Sequence, residues 1–237
     1  MNRLLWYGYF VLYLVWSLRF KIKLFFIKKK SKEKAEEYAY VKIRNMANYI
    51  LKITKSQVEV KGLENIPDGS CVFVANHQAI FDGFLILKYI DKPYVLVAKK
   101  EIQKLPIINS WMKEISTIFI DRANVRESLK SINKGVSYIN EGYSVVIFPE
   151  GTRSLGGAMN EFKKGSMKLA LKSNVPIVPI VIDGTYKVLE TGKKVRGHNL
   201  KMTVLNPIYT ENLSKEEKNK LSLNIHDLIE EELFRMS

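Results

Sequence analysis

Residues 71–90 read CVFVANHQAIFDGFLILKYI: an apolar run, Cys71–Ala75, halts at Asn76-His77, and a second apolar run opens at Asp82. A short β-branched and aromatic run bounded by polar residues has the length of a buried strand. The later run is long enough for a helix, Asp82–Ile90, with a carboxylate in the first turn, where the helix dipole favours it. Strand, turn and helix in twenty residues is α/β grammar, and the strand's carboxyl end is where such folds place reactive groups.

The same grammar extends in both directions. Strands are expected at Gln57–Lys61, Cys71–Ala75, Tyr94–Ala98, Thr117–Ile120, Ser144–Phe148, Ile177–Ile182 and Met202–Leu205. Helices are expected near Asp82–Ile90, Ile107–Glu114, Arg126–Asn140, Lys163–Ser173 and Lys215–Phe234. Glu141-Gly142 offers a stop for the third of these. With 237 residues and 46% hydrophobic content, the chain can bury a full core. The fold class is α/β, a sheet flanked by helices, occupying residues 55–237.

Residues 1–54 read differently. Leu4–Leu18 (LLWYGYFVLYLVWSL) carries no charged side chain, and Arg19, Lys21, Lys23 and a lysine run through Lys32 follow it. Fifteen residues of helix reach about 22 Å, short of the roughly 30 Å hydrocarbon layer. Continuing to Ile27 adds length but places three cations inside. No small-residue cleavage site follows, so an uncleaved anchor that dips into one leaflet or spans marginally is expected. Its tyrosines and tryptophans suit the interface, and its cations suit anionic lipid on the cytoplasmic face. From Ser31 to Ile53, Ala35, Ala39, Ile43, Met46, Ile50 and Ile53 recur at helical spacing. That stripe suits core packing or a membrane-lying face. The N-terminal segment is therefore expected to be a two-helix membrane element.

The net charge is +14, which draws polyanions: nucleic acid, anionic lipid, or phosphorylated and acidic substrates. No helix-turn-helix, zinc or aromatic-basic RNA signature accompanies it. The single cysteine, Cys71, excludes an internal disulfide and fits a reducing compartment. His198 and His226 have ordinary polar neighbours and no ligand spacing around them, so no metal site is expected.

Three constellations carry chemistry. Four residues separate His77 from Asp82, a spacing that allows a tight turn to return the carboxylate to the imidazole, although a histidine and an aspartate this close are also common by chance. In that turn the carboxylate can hold one ring N–H and leave the other nitrogen to accept a substrate hydroxyl proton. Phe148-Pro149-Glu150-Gly151-Thr152-Arg153-Ser154 ends another apolar run. Its glycine allows close approach of a ligand, and Arg153 presents a donor fork that matches phosphate. A solvated surface turn with a Glu–Arg pair is the plain alternative. Lys99 and Arg122 also follow strand-like runs and bring cations toward the same end, although either is equally a solvated loop residue.

Taken in order, these blocks resemble the glycerolipid acyltransferases. Asn76-His77 through Asp82 is similar to that family's NHxxxxD block. Lys99 through Pro106 to Asp121-Arg122 is similar to the second, Phe148–Ser154 to the third, and Val175–Ile180 to the fourth. The resemblance covers about residues 70–185. It implies a mixed sheet flanked by helices, with His77 as general base and Asp82 as its partner. Lys99, Arg122, Glu150, Gly151, Thr152 and Arg153 would bind substrate. The implied reaction moves a fatty acyl group from acyl-coenzyme A or acyl-carrier protein to the 2-hydroxyl of 1-acyl-glycerol-3-phosphate (lysophosphatidic acid), giving phosphatidic acid. No metal, cofactor or covalent enzyme intermediate is implied. Glycerol 3-phosphate or another lysophospholipid is the alternative acceptor, and a non-enzymatic basic membrane-binding protein the alternative class. Ala79 stands where family members often carry serine, and a glycine often found after the second-block proline is absent at Ile107–Asn109.

Overall fold

A computed structural model describes residues 1–121 and 124–236, the side chains of residues 125 and 164 excepted. Seven strands form one sheet: β1 (Gln57–Lys61), β2 (Val72–Ala75), β3 (Tyr94–Lys99), β4 (Ile118–Ile120), β5 (Ser144–Ile147), β6 (Ile177–Asp183) and β7 (Asn199–Val204). Their order is β1-β7-β6-β2-β5-β3-β4. All pairings are parallel except β6 with β7, so the sheet is mixed.

Central strands need two covered faces. Every residue of β2, β5 and β6 is buried, whereas edge strand β1 alternates exposed and half-buried. The two-residue period of β2 splits its side chains between cores. Phe73 and Ala75 pack with Phe81, Leu85 and Ile180 on one face. Val72 and Val74 pack with Val145, Leu169, Ile225 and Ile229 on the other.

The helices are α1 (Arg3–Ser17), α2 (Arg19–Lys30), α3 (Lys32–Ile53), α4 (Phe81–Tyr89), α5 (Pro106–Glu114), α6 (Val125–Asn140), α7 (Lys168–Ser173), α8 (Tyr186–Leu189) and α9 (Lys215–Met236). Most boundaries fall within one or two residues of expectation. The start of Lys163–Ser173 differs, because Lys164–Met167 forms a 3-10 turn before α7. β7 begins three residues earlier than expected, paired with β1 from Asn199 onward. The short helix α8 was not expected at all.

The N-terminal element has three helices where the sequence suggests two. The apolar run stops at Leu18, between α1 and α2, and Ser31 caps α3 by accepting from the Lys34 amide at 3.2 Å. Among the described residues, no helix is long and apolar enough to cross a membrane. α1 instead has two faces. Trp6 is buried with its ring centroid 5.9 Å from that of Phe81, beside Phe10, while Leu4, Leu5, Val11 and Leu12 are exposed. The α3 stripe packs on the protein: Ala47, Ile50 and Leu51 join the sheet core. Ala35, Ala39 and Ile43 meet Leu24, Trp111 and Ile115 in a separate cluster.

Candidate active site

β2, β5 and β6 are neighbours in the sheet and run the same way, so their carboxyl ends open on one place. His77 follows β2, Glu150 follows β5 and Thr185 follows β6. Asn76 ties two of these ends together. Its Oδ1 accepts from the Ile182 amide and its Nδ2 donates to the Ile182 carbonyl, both at 2.8 Å.

His77 Nδ1 lies 2.7 Å from Asp82 Oδ2, and Asp82 is 0% exposed. The same oxygen accepts from the Ala79 amide at 2.8 Å, which closes the turn that the four-residue spacing requires. Asp82 Oδ1 accepts from the Thr185 hydroxyl at 2.5 Å. The His77 ring stacks on Phe148 with centroids 4.3 Å apart, so its plane is held from one side. With Nδ1–H held by a carboxylate, Nε2 is the acceptor, and the pair can take a proton from a bound hydroxyl.

The block Phe148–Ser154 is more protein-facing than its composition suggests. Glu150, 3% exposed, accepts from the His77 amide at 2.5 Å through Oε1. Its Oε2 accepts from the Asn160 amide at 2.9 Å and from Asn160 Nδ2 at 2.8 Å. Three protein donors thus occupy this buried carboxylate, and one of them is the His77 backbone. Gly151 has φ +75° and donates its amide to the Phe148 carbonyl, a turn that a side chain would strain. Thr152 is exposed. The Ser154 amide donates to the His77 carbonyl at 2.8 Å and the Leu155 amide to Gln78 at 3.1 Å, so the two blocks are laced through their backbones.

Arg153 stands within this lacework. Its side chain is 47% exposed, and Nη1 donates to Glu190 Oε1 at 3.0 Å. That oxygen also accepts from the Ile80 amide at 3.1 Å, inside the His77–Asp82 turn. A guanidinium anchored through one nitrogen keeps its remaining N–H groups for an anion. Lys99 ends β3 on the far side of β5, is exposed, and lies 3.3 Å from Glu101. Lys100 reaches Asp121 at 3.2 Å. Arg122 lies outside the described residues. His226 pairs with Asp227 at 3.0 Å on α9.

Behind Phe148 lies a cavity of about 180 Å³ lined chiefly by Val97, Ile118, Ile132, Ile147, Phe148 and Leu169. An apolar cavity that begins at the residue stacked on His77 suits a hydrocarbon chain.

Thr185, Glu190 and Asn160 carry much of this geometry, and the sequence reading omits all three. Thr185 had one available signal: Asp183-Gly184-Thr185 closes an apolar strand, the same kind of place that His77 occupies. Glu190 and Asn160 stand in polar stretches with no comparable mark.

Comparison with known proteins converges on one group. The family profile described as "Acyltransferase" matches residues 57–183, more than half of the chain. The chain is 33% identical over 173 residues to "1-acyl-sn-glycerol-3-phosphate acyltransferase BAT2, chloroplastic" of Brassica napus, covering 70% of this chain and 50% of that protein. It thus spans about half the length of that relative. It is 30% identical over 206 residues to "Probable 1-acyl-sn-glycerol-3-phosphate acyltransferase" of Mycoplasma pneumoniae, covering 80% and 76%. Among solved structures, that of the "1-acyl-sn-glycerophosphate (LPA) acyltransferase, PlsC" of Thermotoga maritima is similar at TM-score 0.80 and 26% identity, covering 99% of this chain and 97% of that one.

Proposed function

This chain belongs to the acyltransferase family, and from that premise we propose that it transfers a fatty acyl group to the free 2-hydroxyl of lysophosphatidic acid, forming phosphatidic acid. The observation that carries the reading is the 2.7 Å pairing of His77 with a fully buried Asp82 beside an exposed Arg153. The relatives' names support the acceptor.

In the proposed reaction the acceptor phosphate sits on Arg153, with Lys99 and Arg122 contributing charge, and its hydroxyl points at His77 Nε2. As the oxygen attacks the thioester carbonyl carbon, the proton passes to Nε2, and Asp82 stabilises the imidazolium. The tetrahedral intermediate expels the thiolate, which takes the proton back from His77. Base and acid are the same residue, so the cycle closes without a metal, a cofactor or an acylated side chain. The cavity behind Phe148 takes an acyl chain. Acyl-coenzyme A and acyl-carrier protein present the same thioester, and both are polyanions suited to a +14 chain.

We place the enzyme on the membrane surface at the cytoplasmic face, where its acceptor and product reside. The exposed apolar face of α1 and the cations of α2 support that location.

The test is a matrix of acceptors against donors with purified protein. Lysophosphatidic acid, glycerol 3-phosphate and lysophosphatidylglycerol are each offered with acyl-coenzyme A and with acyl-carrier protein. We expect phosphatidic acid from the first acceptor at the highest rate. Turnover of glycerol 3-phosphate with none of lysophosphatidic acid would reassign the acceptor, and no turnover in any cell would remove the reading.

A further inference from the structure

Asp82 is an anion without access to water, so its effect on His77 depends on the donors that hold it. Two of the three come from its own turn, His77 Nδ1 and the Ala79 amide, and both bind Oδ2. The third comes from a segment more than a hundred residues away. β6 ends at Asp183, and the backbone turns at Gly184, where φ is +82° and a Cβ would sit 2.6 Å from the Asn199 carbonyl oxygen. Only glycine fits that turn without moving the β7 backbone. The turn sends Thr185, 0% exposed, under Asp82, with its hydroxyl 2.5 Å from Oδ1.

The hydroxyl has one proton and two acceptors in range. Gln78 Oε1 lies at 3.5 Å, and Gln78 is itself held by donating Nε2 to Asp183 Oδ1 at 3.2 Å. The shorter, charge-assisted contact takes the proton. We propose that Thr185 is a positioning residue for the reaction: it holds Asp82 so that the carboxylate fixes the His77 tautomer with Nε2 free to accept. The claim rests on the general-base reading of His77 given above.

Without the hydroxyl, Oδ1 would be a buried charged oxygen with no donor. The carboxylate then rotates toward another donor or takes up a proton. A protonated Asp82 donates to Nδ1, which moves the ring proton to Nε2 and blocks it as a base. Thr185 touches no reacting atom, so its loss is felt in turnover and not in the binding of either substrate.

The experiment compares Thr185→Val, which keeps the shape, with Thr185→Ser, which keeps the hydroxyl, in the full chain. Each is measured in the wild-type background and with Asp82→Asn. We expect Thr185→Val to lower kcat about ten- to a hundredfold, on the scale of a lost hydrogen bond to a charge. KM for acceptor and donor should stay within about twofold, and Thr185→Ser should stay within about threefold of wild type. Combined with Asp82→Asn, the valine should add less than about twofold, because the group it acts through is already disabled. The ¹⁵N spectrum of the His77 ring should show Nδ1–H in the wild type and a mixture of tautomers in Thr185→Val. Where the valine variant does not unfold cooperatively, Thr185→Ala takes its place.

A wild-type kcat in Thr185→Val, or an equal loss with and without Asp82→Asn, overturns the assignment to Thr185. Wild-type rates in both His77→Ala and Asp82→Asn overturn the general-base reading instead, a distinct result.

Discussion

At the scale of single residues, the site is built from buried carboxylates whose lone pairs are spoken for. Glu150 makes the argument as well as Asp82 does. One oxygen receives the His77 amide and the other receives two donors from Asn160. Glu150→Gln keeps the shape and turns one acceptor into a donor, so either the His77 amide or the Asn160 pair faces an N–H group. We expect a loss of about 1–3 kcal/mol in unfolding free energy, the usual cost of stranding a buried polar group. Urea denaturation measures it, and an unchanged midpoint and slope would show that Glu150 holds nothing. This division of labour was half legible. Spacing in the chain places His77 near Asp82, and strand ends mark both blocks. Composition does not say that Glu150 turns inward, because its partner stands ten residues on in an irregular loop. Nor does it say that Arg153 is anchored by Glu190 at a separation of 37 residues.

Secondary structure was legible where the burial pattern is one-dimensional. β2, β5 and β6 are covered on both faces and read as continuous apolar runs, and their expected bounds fall within a residue of those observed. Strand order is a different matter, since β2 lies between β5 and β6 and both partners come from distant segments. The break at Leu18 has no proline or glycine to announce it. The attachment of α2 is similarly non-local. Glu114 on α5 lies 2.9 Å from Lys21 and 2.8 Å from Lys28, and Lys21 also donates to the Ser110 carbonyl. Burial alone would raise the Glu114 carboxyl, but hydrogen bonds from Lys28 and Lys21 outweigh it and hold the group below its ordinary value. A depressed folded-state value means that the clamp's contribution is present above the ordinary carboxylate range, about 4.3. It is lost as pH falls through the lower folded value. Glu114→Gln removes the charge at neutral pH, so the protection of amides 19–30 against exchange should fall several-fold there. Unchanged protection in the variant would show that apolar packing around Leu24 alone holds α2.

For the whole molecule, the arrangement brings chemistry to a surface. The carboxyl ends of β2, β5 and β6 carry the paired His77 and Asp82, and α1 packs Trp6 directly against Phe81, the residue before Asp82. The exposed side of α1 is apolar, and α2 adds Arg19, Lys21, Lys23 and three terminal lysines. Such a helix pair has the composition that suits anionic lipid, and it supports the proposed placement of the site beside a membrane-borne acceptor. The charge excess points to polyanions and the blocks choose among them; the packing of α1 against the His77–Asp82 turn was not legible, because it joins residues 75 positions apart. The most direct measurement is the single-turnover rate of acyl transfer to lysophosphatidic acid in anionic vesicles, for wild type and His77→Ala at equal amounts of vesicle-bound protein. The account predicts equal binding and a fall of about a hundredfold or more in the variant, the contribution of a general base. Equal rates from the two proteins would contradict it.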